Sequence, residues 1–226
     1  QVLSMKAVVD EALREAPDVR HVVVLRHRGV PTPMTAGRDL WWQDVARAVT
    51  APPAPVELPA EHPVLLMYTS GTTGRPKGTV HTHGGLGMKI GQDARLTLDL
   101  KAGERMLWPT DFGWFGGTVP ILGCLLAGAT LVLADGVPTH PDPDRLLRLA
   151  ATHRVTHFAT AATLARMLRR DPDTLRDRHD LSSLRAIPSS GEAWDRETWL
   201  WVMNRLGGGR VPILNFSGGT EMCAIV

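Results

Sequence analysis

The chain has 226 residues, 43% of them hydrophobic and 21% charged, with a formal net charge of +2. That length buries a sizeable core, and the balance excludes a disordered chain and offers no basic surplus for nucleic acid. Of the cations 21 are Arg and only 4 are Lys, a pattern of base-composition bias against which a Lys inside a motif stands out. Cys124 and Cys223 lie far apart and outside any C-x-x-C pattern, so neither a disulfide framework nor a zinc site is implied, and two buried thiols in a reducing cytoplasm are expected.

No charged n-region with an apolar h-region opens the chain. It starts at Gln1 and stops within the apolar Ala224-Ile-Val226, which reads as a piece of a longer polypeptide. Ala7, Val8, Ala12 and Leu13 recur at helical spacing and predict an amphipathic helix over 6–16. His21 to Leu25 reads as a buried strand closed by Gly29, and Asp39 is expected to N-cap a short helix running to Val45, with Trp41 and Trp42 as packing residues. Residues 51–63 carry five prolines and form an extended connector, so 1–50 is expected as an N-terminal αβ segment and 64–226 as the core.

Within that core, Val64 to Met67 and Thr79 to Thr82 are apolar or β-branched runs on either side of a Gly-, Ser- and Thr-rich loop, and Leu86 to Ala94 predicts a helix. His81 and His83 would share a strand face; with no third ligand nearby, a structural role is favoured over a metal pair. Residues 112–134 contain no charged side chain, yet Gly116, Gly117, Pro120, Gly123 and Gly128 divide them, so helix, glycine turn and buried strand (Ala129 to Ala134) are expected rather than a membrane span. Helices at 143–152, 163–170 and 196–206 then alternate with strands at 155–159, 184–187 and 211–216. Such alternation implies right-handed crossovers and an α/β fold, a largely parallel sheet with flanking helices, whose ligands sit at the carboxyl ends of strands. Pro188 to Glu192 and Asn215 to Glu221 fall there.

The loop at 67–78, Met-Tyr-Thr-Ser-Gly-Thr-Thr-Gly-Arg-Pro-Lys-Gly, offers a polyphosphate inventory. Gly71, Gly74 and Gly78 permit close backbone approach, Thr69, Ser70, Thr72 and Thr73 present hydroxyls, and Lys77 adds a charge. It is not the ordinary P-loop, because Pro76 precedes Lys77 and a β-type segment, not a helix, follows.

This loop resembles the nucleotide-binding loop of the AMP-forming acyl-CoA synthetases and the wider adenylate-forming superfamily. Ser190-Gly-Glu-Ala-Trp194 is similar to the family's Gly-Glu-Pro segment along adenine, and Ser217-Gly-Gly-Thr-Glu221 to its Tyr/Trp-Gly-x-Thr-Glu motif. Asp39-Leu-Trp-Trp42, Thr110-Asp-Phe-Gly-Trp114 and Gly207 to Ile213 resemble counterparts in acetyl-CoA synthetase-like members. The resemblance spans the chain, as the central part of the family's large N-terminal domain. The later ribose-binding aspartate and the small C-terminal domain with its lysine are absent from it, so the chain alone is expected to be inactive.

The resemblance implies ATP and Mg²⁺ as cofactors, CoA as co-substrate and a small carboxylic acid as partner. Thr69, Ser70, Gly71, Thr72, Thr73, Gly74 and Lys77 would hold phosphates; Gly191, Glu192, Ala193, Asn215, Phe216, Ser217, Gly218, Gly219 and Thr220 would bind the nucleotide. Lys77, Thr220 and Glu221 would be catalytic, with Glu221 a hard oxygen ligand for Mg²⁺. An acyl pocket would draw on Trp114, Phe115, Gly116, Ser190 and Gly218. Ser217 stands where the family has an aromatic on adenine, and Ala193 where it has Pro, which leaves looser packing or Phe216 as a substitute. Gly218 stands where acetate enzymes carry Trp, so an acid longer than acetate or of another shape is expected, although Phe115 is larger than the usual aliphatic. Transfer to an amine or carrier-protein thiol, and a non-catalytic nucleotide-binding module, are the alternatives.

Overall fold

A computed structural model of the chain describes residues 4–69, 74–170 and 178–225. The chain divides into two compact units, Gln1–Glu57 and Leu58–Val226. In the first, helix α1 (Met5–Ala12) is capped by the Ser4 hydroxyl and precedes a parallel strand pair, β1 (Val22–Val24) and β2 (Asp39–Trp41), followed by helix α2 (Trp42–Ala48). Asp39 is not the cap of α2. Its carboxylate is taken up by Lys6 at 2.7 Å, by Arg38 at 2.6 Å and by the Thr35 N–H at 2.8 Å, so it has nothing left to offer a helix end. The Arg38 guanidinium first, with Lys6, holds this carboxyl well below the usual carboxylate range. Two further expectations fail here for one reason: a two-stranded sheet covers little. Val23 is half exposed rather than buried, and Trp42 faces solvent, while Trp41 lies under the Arg26 guanidinium at 4.2 Å.

The second unit opens on an antiparallel hairpin, β3 (Pro63–Thr69) and β4 (Lys77–Thr82), which sets Thr69 opposite Lys77. The chain passes directly from β4 into α3 (His83–Gln92), whose start is capped by the Thr82 hydroxyl and whose end widens into a π turn, Asp93–Thr97. His81 and His83 therefore share no strand face: His83 opens the helix, its ring 6.1 Å from that of His62.

Five short parallel strands form the centre: β5 (Arg105–Leu107), β6 (Thr130–Val132), β7 (His157–Phe158), β8 (Ile187–Ser189) and β9 (Ile213–Asn215). The order is β6-β5-β7, then β8-β9, with β7 and β8 joined by the bridges His157 to Ala186 and Thr160 to Ser189. Helices α4 (Phe115–Ala127), α5 (Arg145–Thr152), α6 (Ala162–Arg169) and α7 (Arg196–Trp201) connect them in turn. The run without charges is thus a 13-residue helix, a Gly128 turn at φ +69°, and a strand. That strand, β6, is an edge, and Leu133 just beyond it is exposed rather than buried. Among the described residues no helix is long and apolar enough to cross a membrane.

Alternation along the central strands fills two cores. Met106 packs with Leu98, Leu100, Cys124 and Phe216, while its neighbour Leu107 joins Leu146, Phe158, Leu164 and Ile187, as opposite faces of one strand require. Both cysteines are buried, and burial pushes each thiol up to about 11.

Candidate functional site

Strands β8 and β9 end side by side, Ser189 opposite Asn215, and the Phe216 N–H donates to the Ser189 carbonyl at 3.0 Å just beyond the pair. Loops leaving the carboxyl ends of parallel strands have unpaired backbone groups to offer, and such edges are where α/β sheets bind ligands. The first loop turns at Gly191, where φ is +98° and a side chain would be strained. Glu192 then reaches back to the start of α6, accepting from the Thr163 N–H at 2.5 Å and from Arg166 at 2.7 Å. Burial works against its charge, yet those donors hold the carboxyl below its ordinary range. Trp194 anchors the loop's far end, its indole N–H donating to Ser189 Oγ at 2.9 Å.

The second loop leads into a hairpin, β10 (Gly218–Gly219) against β11 (Ala224–Ile225). Its turn carries Thr220 and Glu221 and is closed by the Cys223 N–H donating to the Gly219 carbonyl at 2.9 Å. Phe216, nearly buried, sits edge-on to Trp108 at 6.1 Å.

Two adjoining cavities result. One, of about 390 Å³, is lined by Ser190, Gly191, Glu192, Asn215, Phe216, Ser217 and Gly218. The other, of about 370 Å³, is bounded by Trp114, Phe115, Gly116, Ser190 and Gly218, by Gly219 and Thr220, and by residues the sequence did not single out for it. Both volumes suit small molecules. Ser190, Gly191, Phe216 and Gly218 face both, so the two share a wall. Thr69, Gly74, Lys77, Ala193 and Glu221 line neither; Ser70 to Thr73 lie outside the described residues.

Trp108, Pro109, Thr160, Ala161 and Leu164 complete the second cavity, and Thr110 enters it from the motif of which only Trp114 was assigned to a pocket. Trp108 and Thr160 follow the ends of β5 and β7, so the strand-end rule applied to every strand finds them.

Among the described residues no group of three or more His, Cys, Asp or Glu could enclose a metal ion. Glu221 is exposed on its turn, with no hydrogen bond or ion pair to another described residue. Its exposed carboxylate carries the hard oxygens that Mg²⁺ takes, an ion commonly held by one or two carboxylates completed by water and ligand oxygens.

A parallel α/β sheet with a split cavity at its carboxyl edge is the architecture of a small-molecule-binding α/β domain. The chain matches the AMP-binding enzyme family over residues 2–226 and belongs to it. It is 41% identical to acetyl-coenzyme A synthetase of Mycobacterium tuberculosis (strain ATCC 25618 / H37Rv) over 221 residues, covering 96% of this chain and 34% of that protein. It is 39% identical to the acetyl-coenzyme A synthetase of Phycomyces blakesleeanus over 228 residues, again 34% of that protein. Among solved structures, acetoacetyl-CoA synthetase from Streptomyces lividans superposes with a TM-score of 0.85 at 31% identity, over 97% of this chain and 34% of that one. The chain therefore spans about a third of the length of these relatives.

Proposed function

We propose that this chain is the central part of the acid-activating domain of an AMP-forming acyl-CoA synthetase. A substrate carboxylate oxygen attacks the α-phosphorus of ATP; the new O–P bond gives acyl-AMP and the broken one releases pyrophosphate. A CoA thiol then takes the acyl carbon, and AMP leaves. The observation that carries this reading is the shared wall: Ser190, Gly191, Phe216 and Gly218 face both cavities, so ligands in the two would meet there. Preorganised proximity of that kind is a large part of what a two-substrate reaction needs.

The cavity beside Asn215 and Ser217 is assigned to the nucleotide base and sugar, with the buried Phe216 ring as its floor. The other cavity takes the acyl group. A two-carbon acid would fill little of about 370 Å³, which supports an acid larger than acetate. Thr69, Gly74, Lys77 and the loop between them hold the departing phosphates, the strand register keeping Thr69 and Lys77 opposed. Thr220 would offer its hydroxyl to the α-phosphate, and Glu221 would hold a magnesium ion, whose charge would offset that of the phosphates. The acid arrives ionised, so no general base is required. Two buried, unpaired thiols suit a reducing cytoplasm.

The test is pyrophosphate release by the polypeptide that joins this chain to the remaining two thirds found in its relatives. ATP, Mg²⁺ and acids from acetate to medium-chain and aryl acids would be supplied. Release should depend on the acid, fall by about 10²- to 10³-fold in Glu221→Ala, and require more ATP for saturation in Lys77→Ala. ATP binding without release for any acid would overturn the reaction in favour of a binding module.

A further inference from the structure

The turn that carries Thr220 and Glu221 is gripped from behind by a pair of charges. Asp93, 3% exposed at the start of the π turn that ends α3, accepts the Ile225 N–H on Oδ2 at 3.0 Å. Its other oxygen pairs with Lys89 one helical turn earlier, and the Lys89 ammonium donates to the Ile225 carbonyl at 3.1 Å. Both backbone groups of one residue in β11 are therefore held by one helix, across more than 130 residues of sequence. Ile225 lies opposite Gly218, a residue that faces both cavities. Between those two positions the chain must turn through Thr220 to Cys223, and Cys223, 1% exposed with φ +44°, is held in a backbone region that side chains rarely adopt.

Burying a carboxylate is costly unless it is paired and its lone pairs are used, and here both demands are met by a backbone N–H and one Lys. A two-residue ladder such as β10 with β11 is marginal by itself, so the clamp supplies the anchorage that the hairpin lacks. The helix that provides it grows directly out of β4, the strand that begins at Lys77. The width of the π turn matters too, since wide turns inside helices recur where a side chain must be re-aimed at a functional feature.

We propose that Lys89 and Asp93 are positioning residues: α3 is a strut that fixes the Thr220–Glu221 turn relative to the phosphate-loop hairpin. The catalytic half of this statement rests on the proposed reaction; the structural half does not. Neither side chain lines either of the two cavities, so both act through the turn.

Hydrogen exchange and pyrophosphate release, measured on the same preparations of the long polypeptide, test the two halves separately. In Asp93→Asn and in Lys89→Met, amide exchange should speed up across 218–225 while the parallel sheet keeps its protection. Lys89→Arg, which preserves the ion pair, should exchange like wild type. Turnover should fall by ~10- to 100-fold through kcat, with a raised Mg²⁺ requirement and a near-constant KM for the acid, the pattern of a misplaced group rather than a lost pocket. Lys89 is partly exposed, so Lys89→Met keeps the test open should Asp93→Asn not fold. Unchanged exchange in both variants would overturn the clamp. Faster exchange with unchanged kcat and Mg²⁺ dependence would overturn its positioning role. A wild type that releases no pyrophosphate would sink the reaction, and the exchange comparison would still decide the clamp.

Discussion

The two cavities differ in how they are built although they share a wall. The one beside Asn215 and Ser217 comes from two loops leaving adjacent strands, and much of its lining is short side chain and glycine. The other is walled by Trp108, Trp114, Phe115, Leu164 and Phe216, gathered from the end of β5, the starts of α4 and α6, and the loop after β9. A cavity made of backbone edges binds groups that exchange hydrogen bonds, and its shape follows the strand ends. A cavity made of large rings selects by volume, and each ring can change without moving the strands. Under the proposed function, that difference would put affinity for the nucleotide on the scaffold and choice among acids on replaceable side chains.

Separate failure of the two cavities is the largest effect this comparison predicts. Phe115→Ala should widen only the second cavity, shifting the ratio of kcat/KM between a larger and a smaller acid by about 10- to 200-fold while leaving the KM for ATP in place. Asn215→Ala should do the reverse, raising the KM for ATP with the acid ranking unchanged. Steady-state kinetics on an acid panel check both, and coupled changes in both KM values would break the division.

A smaller effect comes from Gly117, one turn into α4. A Cβ there would lie 2.5 Å from Phe112 Cα and 2.8 Å from the Asp111 carbonyl, too close for any side chain. Gly117→Ala should push the 111–114 segment outward, carrying Trp114 with it, and destabilise the fold by about 1–3 kcal/mol as overpacking does. Thermal melting should register that cost, and the KM for the acid should rise more than that for ATP. Equal changes in the two would mean that the segment supports both cavities.

How much of this could be read from sequence follows the same division. The loops lining the first cavity were legible as strand-end loops because each follows a predicted strand and carries the turn residues such an edge requires, Gly191 at φ +98° among them. Trp108 and Thr160 were not assigned, because they follow different strands about fifty residues apart and only strand order brings them into one cavity. Order itself was invisible: alternation of helix and strand predicts a parallel sheet, but not that β5 lies between β6 and β7. Asp39 misled for a related reason. An Asp before an apolar run is an N-cap signal only if no distant cation claims it, and Lys6 does. The π turn that aims Asp93 left no mark in the residue pattern at all.

The smallest predicted effect tests the scaffold beneath the cavities. His157 in β7 is 1% exposed, with Nε2 at 2.9 Å from the Leu98 carbonyl and Nδ1 at 2.9 Å from the Thr156 hydroxyl. A carbonyl can only accept, so Nε2 carries the proton and Nδ1 is left as an acceptor. Burial pulls the imidazole below its ordinary value, and Arg185 adds to that, while the bond to the Leu98 carbonyl and the charges of Glu104 and Asp99 pull the other way. With the folded value depressed, both states are neutral above about pH 6.5 and the full stability is present. As the pH falls below that point, the unfolded chain takes a proton that the folded chain refuses, and stability declines until the folded value is passed. The slope from this one group is at most about 1.4 kcal/mol per pH unit. Melting temperatures between pH 7.5 and 5 should therefore fall in the wild type and fall less in His157→Gln, with the acid ranking unaltered in both. An identical decline in the two proteins would assign the acid sensitivity to other groups and leave the strand beneath Thr160 insensitive to pH.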